Sequence, residues 1–494
     1  MNTKMIAIIA VVLIVGAGGA YYLLKQNSDS SFAVSDYPDS YLTVLGNANL
    51  DLEISVADAT KIQELIDSAE SYSYRDYYMY DANFDKKIDS ADIDKVNAMV
   101  ASLASGDWSA VGKVWYVNVD HDIVSYDMTQ DAKLITLIAP PLDSVLAMGG
   151  KDKVVGFDDR ITTGKYRIEY NDTFDIDSMY NVGSCNEPST EVITQAYSEK
   201  GPITVVCGTK GSYGPTMEST FSDIPGIQVI RIASWEYGGT LYGFMTLGFL
   251  LKLNAGAKAY YDKYQECNDH VKAIVASVPA ATKEANGAAA AYAYGEELQL
   301  LGRSSGEYAN LMVLEPYDTT EAYLHGRDSG SHGDVISNEA VSAMHQQYKL
   351  SSMIMMVGTP FQIISGGQAV SSQMESIYEK FAGPTGFDAG TLGINACVVG
   401  YSFSSGVSEV LNRLILSYYL YNDEFLAHFG CADQDAAKAK IGEYVDWYCE
   451  AIGIDGLWSF SGGAGTYGMN LLYCPQHPER SIMNGVSDYV TPSW

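Results

Sequence analysis

Strand-like apolar runs alternate with helix-like segments from residue 113 to the C-terminus. The runs that precede the longest helical stretch are 113–119, 133–138, 153–157, 203–207 and 228–232. After that stretch, at 245–278, the alternation restarts with runs at 288–294, 352–357 and 397–401. Parallel strands need a crossover connection, which is usually a helix. The alternation therefore predicts an α/β fold with parallel sheets covered on both faces, in two lobes joined by a long helix.

Composition excludes several classes of protein. The chain has 494 residues, 47% of them hydrophobic and only 18% charged, which is not the balance of a disordered chain. Its formal net charge of −31 argues against a nucleic-acid partner, because phosphate binding requires clustered Lys and Arg. Seven cysteines are spread along the chain without a CxxC motif, so their pairing is open.

The N-terminus carries the longest apolar run. Residues 5–24 contain no charged side chain, and Lys4 and Lys25 flank them. Twenty apolar residues in a helix span roughly 30 Å, the thickness of the bilayer core. We expect a single-pass membrane anchor within residues 1–30, with the rest of the chain outside the cytoplasm. Secretion after cleavage of this segment is the alternative.

Two acidic loops repeat at a spacing of 34 residues within a segment that we assign to residues 36–110. Oxygen-bearing side chains occupy loop positions 1, 3, 5 and 12, and the backbone carbonyl of position 7 completes each set. This is the spacing of a calcium loop, since Ca²⁺ takes six to eight oxygen ligands. The candidate ligands are Asn47, Asn49, Asp51, Glu53 and Asp58 in the first loop and Asp81, Asn83, Asp85, Lys87 and Asp92 in the second.

An amphipathic helix follows each loop, and the pair resembles a type I dockerin. The resemblance implies two half EF-hands and bound Ca²⁺, and it leaves a cohesin-like partner as an open alternative. The sequence departs from that pattern at loop position 6, where Leu52 and Lys86 replace the usual Gly. A calcium-stiffened spacer without a protein partner is the interpretation that we favour.

The segment 134–159 resembles the first β-α-β unit of class III substrate-binding proteins of ABC importers. Further matches follow in order at 188–193, 256–264, 336–340 and 401–429. The resemblance implies two Rossmann-like lobes and a cleft that binds an iron-siderophore, haem or cobalamin. It implies a first lobe at 113–245, an interlobe helix at 246–280 and a second lobe at 281–494.

The resemblance places the ligand against loops at the strand ends. Aromatic faces suit a large planar chelate, and Arg suits carboxylate groups. The candidates are Pro140, Arg160, Lys210, Tyr213, Trp235, Tyr237, Tyr294, Arg303, His332, Tyr401 and Phe403. A rival hypothesis is direct metal capture in the loop that holds His325 and His332.

One glutamate per lobe pairs with permease arginines in that family. The match gives Glu191 and Glu339, each in a Ser-x-Glu segment at the predicted start of a helix. Plain capping of the helix is the alternative role for these residues.

These observations predict a membrane-anchored, extracellular substrate-binding protein that passes a metal chelate to an ABC permease and is not an enzyme. The sequence has no GxSxG, HExxH or Walker A motif in a convincing context. Two other functions stay open. One is a cell-surface scaffold that docks through the dockerin-like module, and the other is a chelatase-like enzyme, for which His332 is the starting residue.

Overall fold

The computed structural model describes residues 42–68, 72, 74–163, 166–211, 214–233, 241, 243–327, 333–357, 370–400, 406–463 and 466–484. These residues belong to two compact units that divide between Thr129 and Gln130. The predicted membrane span at 5–24 lies outside the described residues. In the part of the chain that is described, no helix is both long and apolar enough to cross a bilayer.

The first unit combines short helices with a β-hairpin. Its described elements are α1 Val56–Asp67, α2 Tyr74–Tyr77, α3 Ser90–Ser105, β1 Lys113–Val117 and β2 Ile123–Asp127. Ser55 and Asp89 cap α1 and α3 through reciprocal hydrogen bonds with the aspartate three residues later. The backbone N–H of Leu45 donates to the Trp115 carbonyl at 2.8 Å. The hairpin thus belongs to this unit, whereas the sequence analysis starts the first lobe at residue 113.

The second unit begins with the predicted parallel sheet. Its strands are β3 Lys133–Thr136, β4 Val154–Phe157, β5 Tyr180–Asn181, β6 Ile203–Cys207 and β7 Ile227–Arg231. They lie in the order β5-β4-β3-β6-β7, and every neighbouring pair is parallel. All five residues of β6 are buried, as expected for a strand covered on both faces.

The second sheet is mixed rather than parallel, which corrects the sequence expectation for this lobe. Its strands are β8 Gly287–Tyr294, β9 Glu297–Leu300, β10 Tyr317–Asp318, β11 Asp334–Val335, β12 Leu350–Val357, β13 Asn395–Gly400, β16 Asn470–Tyr473 and β17 Ile482–Met483. The central strands β8, β12 and β13 are parallel, as predicted. Antiparallel strands β9 and β11 extend one side, and β16 and β17 extend the other.

Helices of the second unit cover these sheets. They are α4 Ala139–Ala147, α5 Asp159–Thr162, α6 Arg167–Tyr170, α7 Thr190–Lys200, α8 Phe244–Leu250, α9 Asn254–Ser277, α10 Ala280–Ala285, α11 Gly306–Met312, α12 Thr319–Leu324, α13 Asn338–Tyr348, α14 Val370–Ile377, α15 Ala389–Leu392, α16 Glu409–Leu420, α17 Asn422–Phe429 and α18 Gln434–Ala451. A small hairpin, β14 Ser461–Gly463 and β15 Thr466–Gly468, follows α18.

The interlobe helix is interrupted just before Asn254, so that α8 and α9 form two segments. A Cβ atom on Gly256 would lie 2.1 Å from the Met148 carbonyl oxygen. Only glycine therefore lets the start of α9 lie against the end of α4 in the first lobe.

Candidate functional site

The two lobes come into contact where α4 begins. Pro140 is the second residue of α4, shortly after β3, and Gly406 lies six residues after the end of β13. A Cβ atom on Gly406 would lie 3.1 Å from the Pro140 Cβ, so the two backbones are in close contact. Ile138, between β3 and α4, has φ +66°, which is rare for a β-branched residue. Ligands of parallel α/β sheets bind at such strand ends.

Several predicted ligand contacts cannot be placed in this geometry. Tyr213, Trp235, Tyr237, His332, Tyr401 and Phe403 lie outside the described residues. Tyr294 is the last residue of β8, and its side chain is also outside the described part. Their proposed contact with a ligand therefore stays a prediction.

The structure does place four predicted contacts, in different surroundings. Pro140 is buried against the second lobe at Gly406. Arg160 is half-buried in α5, close to the carboxyl end of β4, whereas Lys210 is exposed in the turn that follows β6. Arg303 is exposed and forms an ion pair with Glu321. Arg160 and Lys210 thus lie at carboxyl ends of strands in the first sheet. Arg303 follows β9, whose antiparallel pairing with β8 places Arg303 toward the amino end of β8.

Arg231 organises the loop between β6 and β7 and was missed by the sequence analysis. Its guanidinium is 2% exposed and donates to the carbonyls of Gly208, Gly214 and Pro215 at 2.8–3.0 Å. Nε and Nη2 also donate to the Glu218 carboxylate at 2.7 and 3.0 Å. Burial alone would raise the pKa of Glu218, but the hydrogen bonds from Arg231 hold it below its ordinary value.

A second residue that was not predicted from the sequence is Asp158, directly after β4. Asp158 is fully buried, and neither carboxylate oxygen makes a hydrogen bond of ordinary geometry. The Ile138 N–H and the Cys185 thiol face it without reaching that geometry. Burial raises the pKa of Asp158 to about 6, and the nearby Arg160 guanidinium opposes this rise. The sequence predicted a ligand contact for its neighbour Arg160 and none for Asp158.

Replacing Asp158 with asparagine should change how stability depends on pH. A carboxyl with a pKa near 6 when folded and about 3.9 when unfolded binds its proton more tightly in the folded state. Its ionisation therefore destabilises the fold progressively from about pH 4 to pH 6, by roughly 2–3 kcal/mol in total. The measurement is urea denaturation of Asp158→Asn and wild type between pH 4 and pH 7. The free energy of unfolding of the variant minus that of wild type should rise by that amount over this range. Asp223→Asn, on an exposed turn, is the control, and equal pH profiles for all three proteins would contradict the account.

The two lobes are joined by α18 as well as by the interlobe helix. The Asp143 carboxylate of α4 accepts hydrogen bonds from Tyr170 in the first lobe, at 2.7 Å, and from Tyr448 of α18, at 3.0 Å. Burial raises the pKa of Asp143, and these two hydrogen bonds oppose the rise. The neighbouring residue of α18, Trp447, stacks on Tyr260 of α9 with centroids 4.8 Å apart. These contacts hold the lobes at a fixed spacing, which favours a largely preformed cleft.

Glu191 and Glu339 occupy equivalent positions in the two lobes. Each is the second residue of its helix, α7 or α13, and each is exposed. The preceding Ser189 and Ser337 cap the helices by accepting from the N–H three residues later, both at 3.3 Å. A hydrogen bond from Ser337 lowers the pKa of Glu339. The serines therefore do the capping, which leaves both glutamates available at the surface.

The two acidic loops of the first unit share one hydrogen-bond pattern. Position 12, Asp58 or Asp92, is fully buried and accepts from the backbone N–H of positions 3 and 9 at 2.8–3.2 Å. In the second loop, Lys86 at position 6 takes the left-handed φ of +72° that glycine usually supplies there. Position 1 of the first loop, Asn47, is fully buried, and its side-chain oxygen has no hydrogen-bond partner.

No metal cluster is evident in the described part of the chain. Within those residues, no three His, Cys, Asp or Glu side chains converge in a way that could hold an ion. The loop carboxylates instead turn toward backbone N–H groups; Asp81, for example, accepts from the N–H of Asp85 and of Lys86. Of the loop proposed for direct metal capture, His332 lies outside the described residues, and the His325 Nε2 lies 3.2 Å from the Tyr348 hydroxyl.

Comparisons with known proteins give a structural likeness without a family assignment. No known family model matches the sequence, and no curated protein matches it. Similar solved structures include the petrobactin-binding protein YclQ of Bacillus subtilis, at 14% identity, covering 63% of this chain and 98% of that one with a TM-score of 0.44. A periplasmic heme-binding protein of Pseudomonas aeruginosa is 16% identical, covering 59% of this chain and 92% of that one with a TM-score of 0.39. The catecholate-siderophore binding protein VctP of Vibrio cholerae is 13% identical, covering 62% of this chain and 99% of that one with a TM-score of 0.43. At these TM-scores the likeness carries no argument about function.

Proposed function

We propose that this chain is the substrate-binding protein of an ABC importer and captures a metal chelate between its two lobes. One observation carries the proposal: the segment that follows β3 in the first sheet and the segment that follows β13 in the second come together where Pro140 contacts Gly406. Loops from both lobes can then enclose one ligand, as in the general rule for parallel sheets. The order of sequence motifs from 134 to 429, which resembles class III substrate-binding proteins, points to the chelate class.

The chelate is an iron-siderophore, haem or a corrinoid, and it is bound without being chemically changed. The proposed contacts from the aromatic side chains of the strand-end loops suit a large planar or greasy ligand. Arg160 and Lys210 supply positive charge for its acidic groups. We place the chain outside the cytoplasm, held by a membrane anchor within residues 1–30.

Tryptophan fluorescence of the full chain, titrated with ferric siderophores, haem and cobalamin, tests this proposal. We expect saturable quenching by one chelate class at submicromolar concentration, and weaker binding by Arg160→Ala. Lys200→Ala, at the C-terminal end of α7, is the matched control, because it removes a cation far from the strand ends. Equal chelate affinity of both variants and wild type would show that the ligand does not contact Arg160. Release of a product from the chelate would favour the chelatase alternative.

Reversing the charge of both surface glutamates should abolish delivery without affecting capture. Glu191→Lys with Glu339→Lys replaces the anions expected to pair with arginines of the permease, so uptake should fall at least tenfold. Chelate affinity should stay within twofold of wild type, because both side chains are exposed at helix starts and neither is among the proposed ligand contacts. The readout is chelate uptake by vesicles that contain the permease and its ATPase.

Charge-preserving variants separate docking from helix capping. Glu191→Asp with Glu339→Asp keeps both negative charges, and uptake should be largely retained. Ser189→Ala should lower stability by about 1 kcal/mol through loss of the cap and leave uptake near wild type. Normal uptake by the double lysine variant would remove both glutamates from the interface.

We also propose that the first unit binds Ca²⁺ through its two loops and acts as a stiffened spacer. The unpartnered Asn47 oxygen at position 1 and the buried aspartates at position 12 support this proposal. The residues fit the oxygen preference of Ca²⁺, provided that the carboxylates rotate away from the backbone N–H groups. A cohesin-like partner would belong to the scaffold alternative.

Calorimetric titration of the full chain with Ca²⁺ tests the spacer proposal. Asp85→Ala removes an exposed ligand at position 5 of the second loop, and affinity there should fall at least tenfold. Asp94→Ala, on the exposed face of α3 two residues beyond the loop, is the control and should bind as wild type does. Absence of heat with millimolar Ca²⁺ would contradict the proposal.

A further inference from the structure

Two cysteines lie opposite each other on neighbouring antiparallel strands of the second lobe. Strands β13 and β16 pair Val398 with Tyr473 and Val399 with Leu472. The next step of this register sets Cys397 opposite Cys474. Directly opposed residues of an antiparallel pair have Cα atoms about 4.5–5.5 Å apart. That separation falls within the range of about 4.4–6.8 Å that disulfide bonds require.

Both thiols lie on the same face of the sheet. Opposed residues on paired strands point to one face, so the two Sγ atoms share one environment. The buried hydroxyl of Tyr419, on α16, interacts electrostatically with both thiols. Cys397 and Cys474 are each 0% exposed. Their side chains are therefore enclosed together between the sheet and α16.

The other cysteines have no such arrangement. Within the described residues, the strand registers place no other cysteine opposite a cysteine; Cys207, for example, pairs with Arg231. Six of the seven cysteines are buried, and Cys431 is partly exposed. Among these cysteines, the strand register places only Cys397 and Cys474 close enough for a disulfide bond.

We propose that Cys397 and Cys474 form a disulfide bond in the mature protein. The inference rests on the proposed location outside the cytoplasm, where disulfides form and persist. Two S–H bonds break and one S–S bond forms, releasing two protons and two electrons. The oxidant is the disulfide of a thiol–disulfide oxidoreductase or of oxidised glutathione, which accepts the electrons and leaves as two thiols.

The bond fixes the edge of the sheet that carries the C-terminal strands. Strand β16 meets β13 through only two residue pairs, and β17 depends on β16. In the dithiol form, the Cys474 Sγ lies 3.2 Å from the His477 carbonyl and 3.5 Å from the Ser481 hydroxyl, contacts that change when Sγ turns toward Cys397. Burial raises the pKa of the Cys474 thiol to about 11, so little reactive thiolate exists once the lobe has folded. The disulfide therefore forms while the lobe is still open, during folding.

Refolding of the full chain tests the inference. The chain is refolded with oxidised and reduced glutathione or with dithiothreitol alone, alkylated while denatured, and digested for non-reducing peptide mapping. The oxidised sample should contain the Cys397–Cys474 peptide pair, and its Tm should exceed that of the reduced sample by roughly 3–8 °C. The double variant Cys397→Ala/Cys474→Ala should lose this difference, and Cys207→Ala, at an equally buried thiol of the first lobe, should keep it.

Alkylation of both thiols in the oxidised wild type, or their linkage to other cysteines, would overturn the inference. Peptide mapping of the wild type decides this even where a variant fails to fold. The chelate titration is run on the same oxidised sample, so the two proposals fail separately. If the two cysteines are linked and no chelate binds, only the proposed function is refuted. If a chelate binds and the cysteines are not linked, only the disulfide proposal is refuted.

Discussion

Replacing Arg413 with methionine is expected to lower the free energy of unfolding by about 3–5 kcal/mol. Arg413 lies on α16, and its guanidinium donates to the Asn310 side chain at 2.8 Å and to the Glu409 carboxylate at 2.7 Å. Glu409 also accepts from the Tyr264 hydroxyl of α9 at 2.7 Å and is only 4% exposed. Methionine fills similar space but leaves the Glu409 charge buried without a cation, which is the costly event.

Two further variants show whether the isolated charge causes the loss. Arg413→Met with Glu409→Leu removes both charges and should recover most of the stability, because a buried ion pair can be replaced by packed apolar groups at little cost. Lys258→Met breaks an exposed pair with Asp262 and should cost no more than about 1 kcal/mol. The readout is the urea midpoint of the second unit. An Arg413→Met variant as stable as wild type would show that the Glu409 charge does not depend on Arg413.

Replacing Arg231 with methionine should also cost about 3–5 kcal/mol and should weaken chelate binding. The substitution leaves the carbonyls of Gly208, Gly214 and Pro215 without their donor and the Glu218 carboxylate without its cation. The loop that these groups shape carries Lys210 at a strand end of the first lobe. We therefore expect chelate affinity to fall at least tenfold, since the loop loses its fixed shape.

Arg231→Lys separates charge from geometry. Lysine keeps the positive charge but cannot reproduce the planar fork that reaches three carbonyls and a carboxylate. It should regain part of the stability and little of the affinity. The measurements are the urea midpoint and the fluorescence titration with the chelate. Wild-type affinity in a destabilised Arg231→Met protein would show that this loop does not contact the ligand.

Strands in the middle of the sheets were predictable because their sequences carry a local signal. The run at 353–357 is continuously apolar and is flanked by Ser352 and Gly358, so its burial can be recognised without knowing its neighbours. The interruption before Asn254 and the caps at Ser189 and Ser337 depend on nearby residues in the same way. Prediction succeeded where the deciding contacts lie within a few positions in sequence.

The remaining features depend on partners far away in sequence. The hairpin 113–127 has a strand pattern, but only its pairing with residues near 44 assigns it to the first unit. Strands β16 and β17 are short, and their antiparallel placement beside β13 comes from tertiary pairing. Arg231, Arg413 and Asp158 look like surface residues in the sequence and become central only through burial. Their roles required coordinates, since charge alone does not reveal which polar residues are enclosed.

Native mass spectrometry of the full chain with a mixture of ferric siderophores, haem, cobalamin and cobinamide tests the central claim most directly. The account predicts one chelate bound per chain, from a single class, and retained at submicromolar protein concentration. Such a ligand at one hundred times its Kd should also add about 2.7 kcal/mol of stability. A spectrum that shows only the free chain, or Ca²⁺ adducts without any chelate, would contradict the account and favour the scaffold alternative.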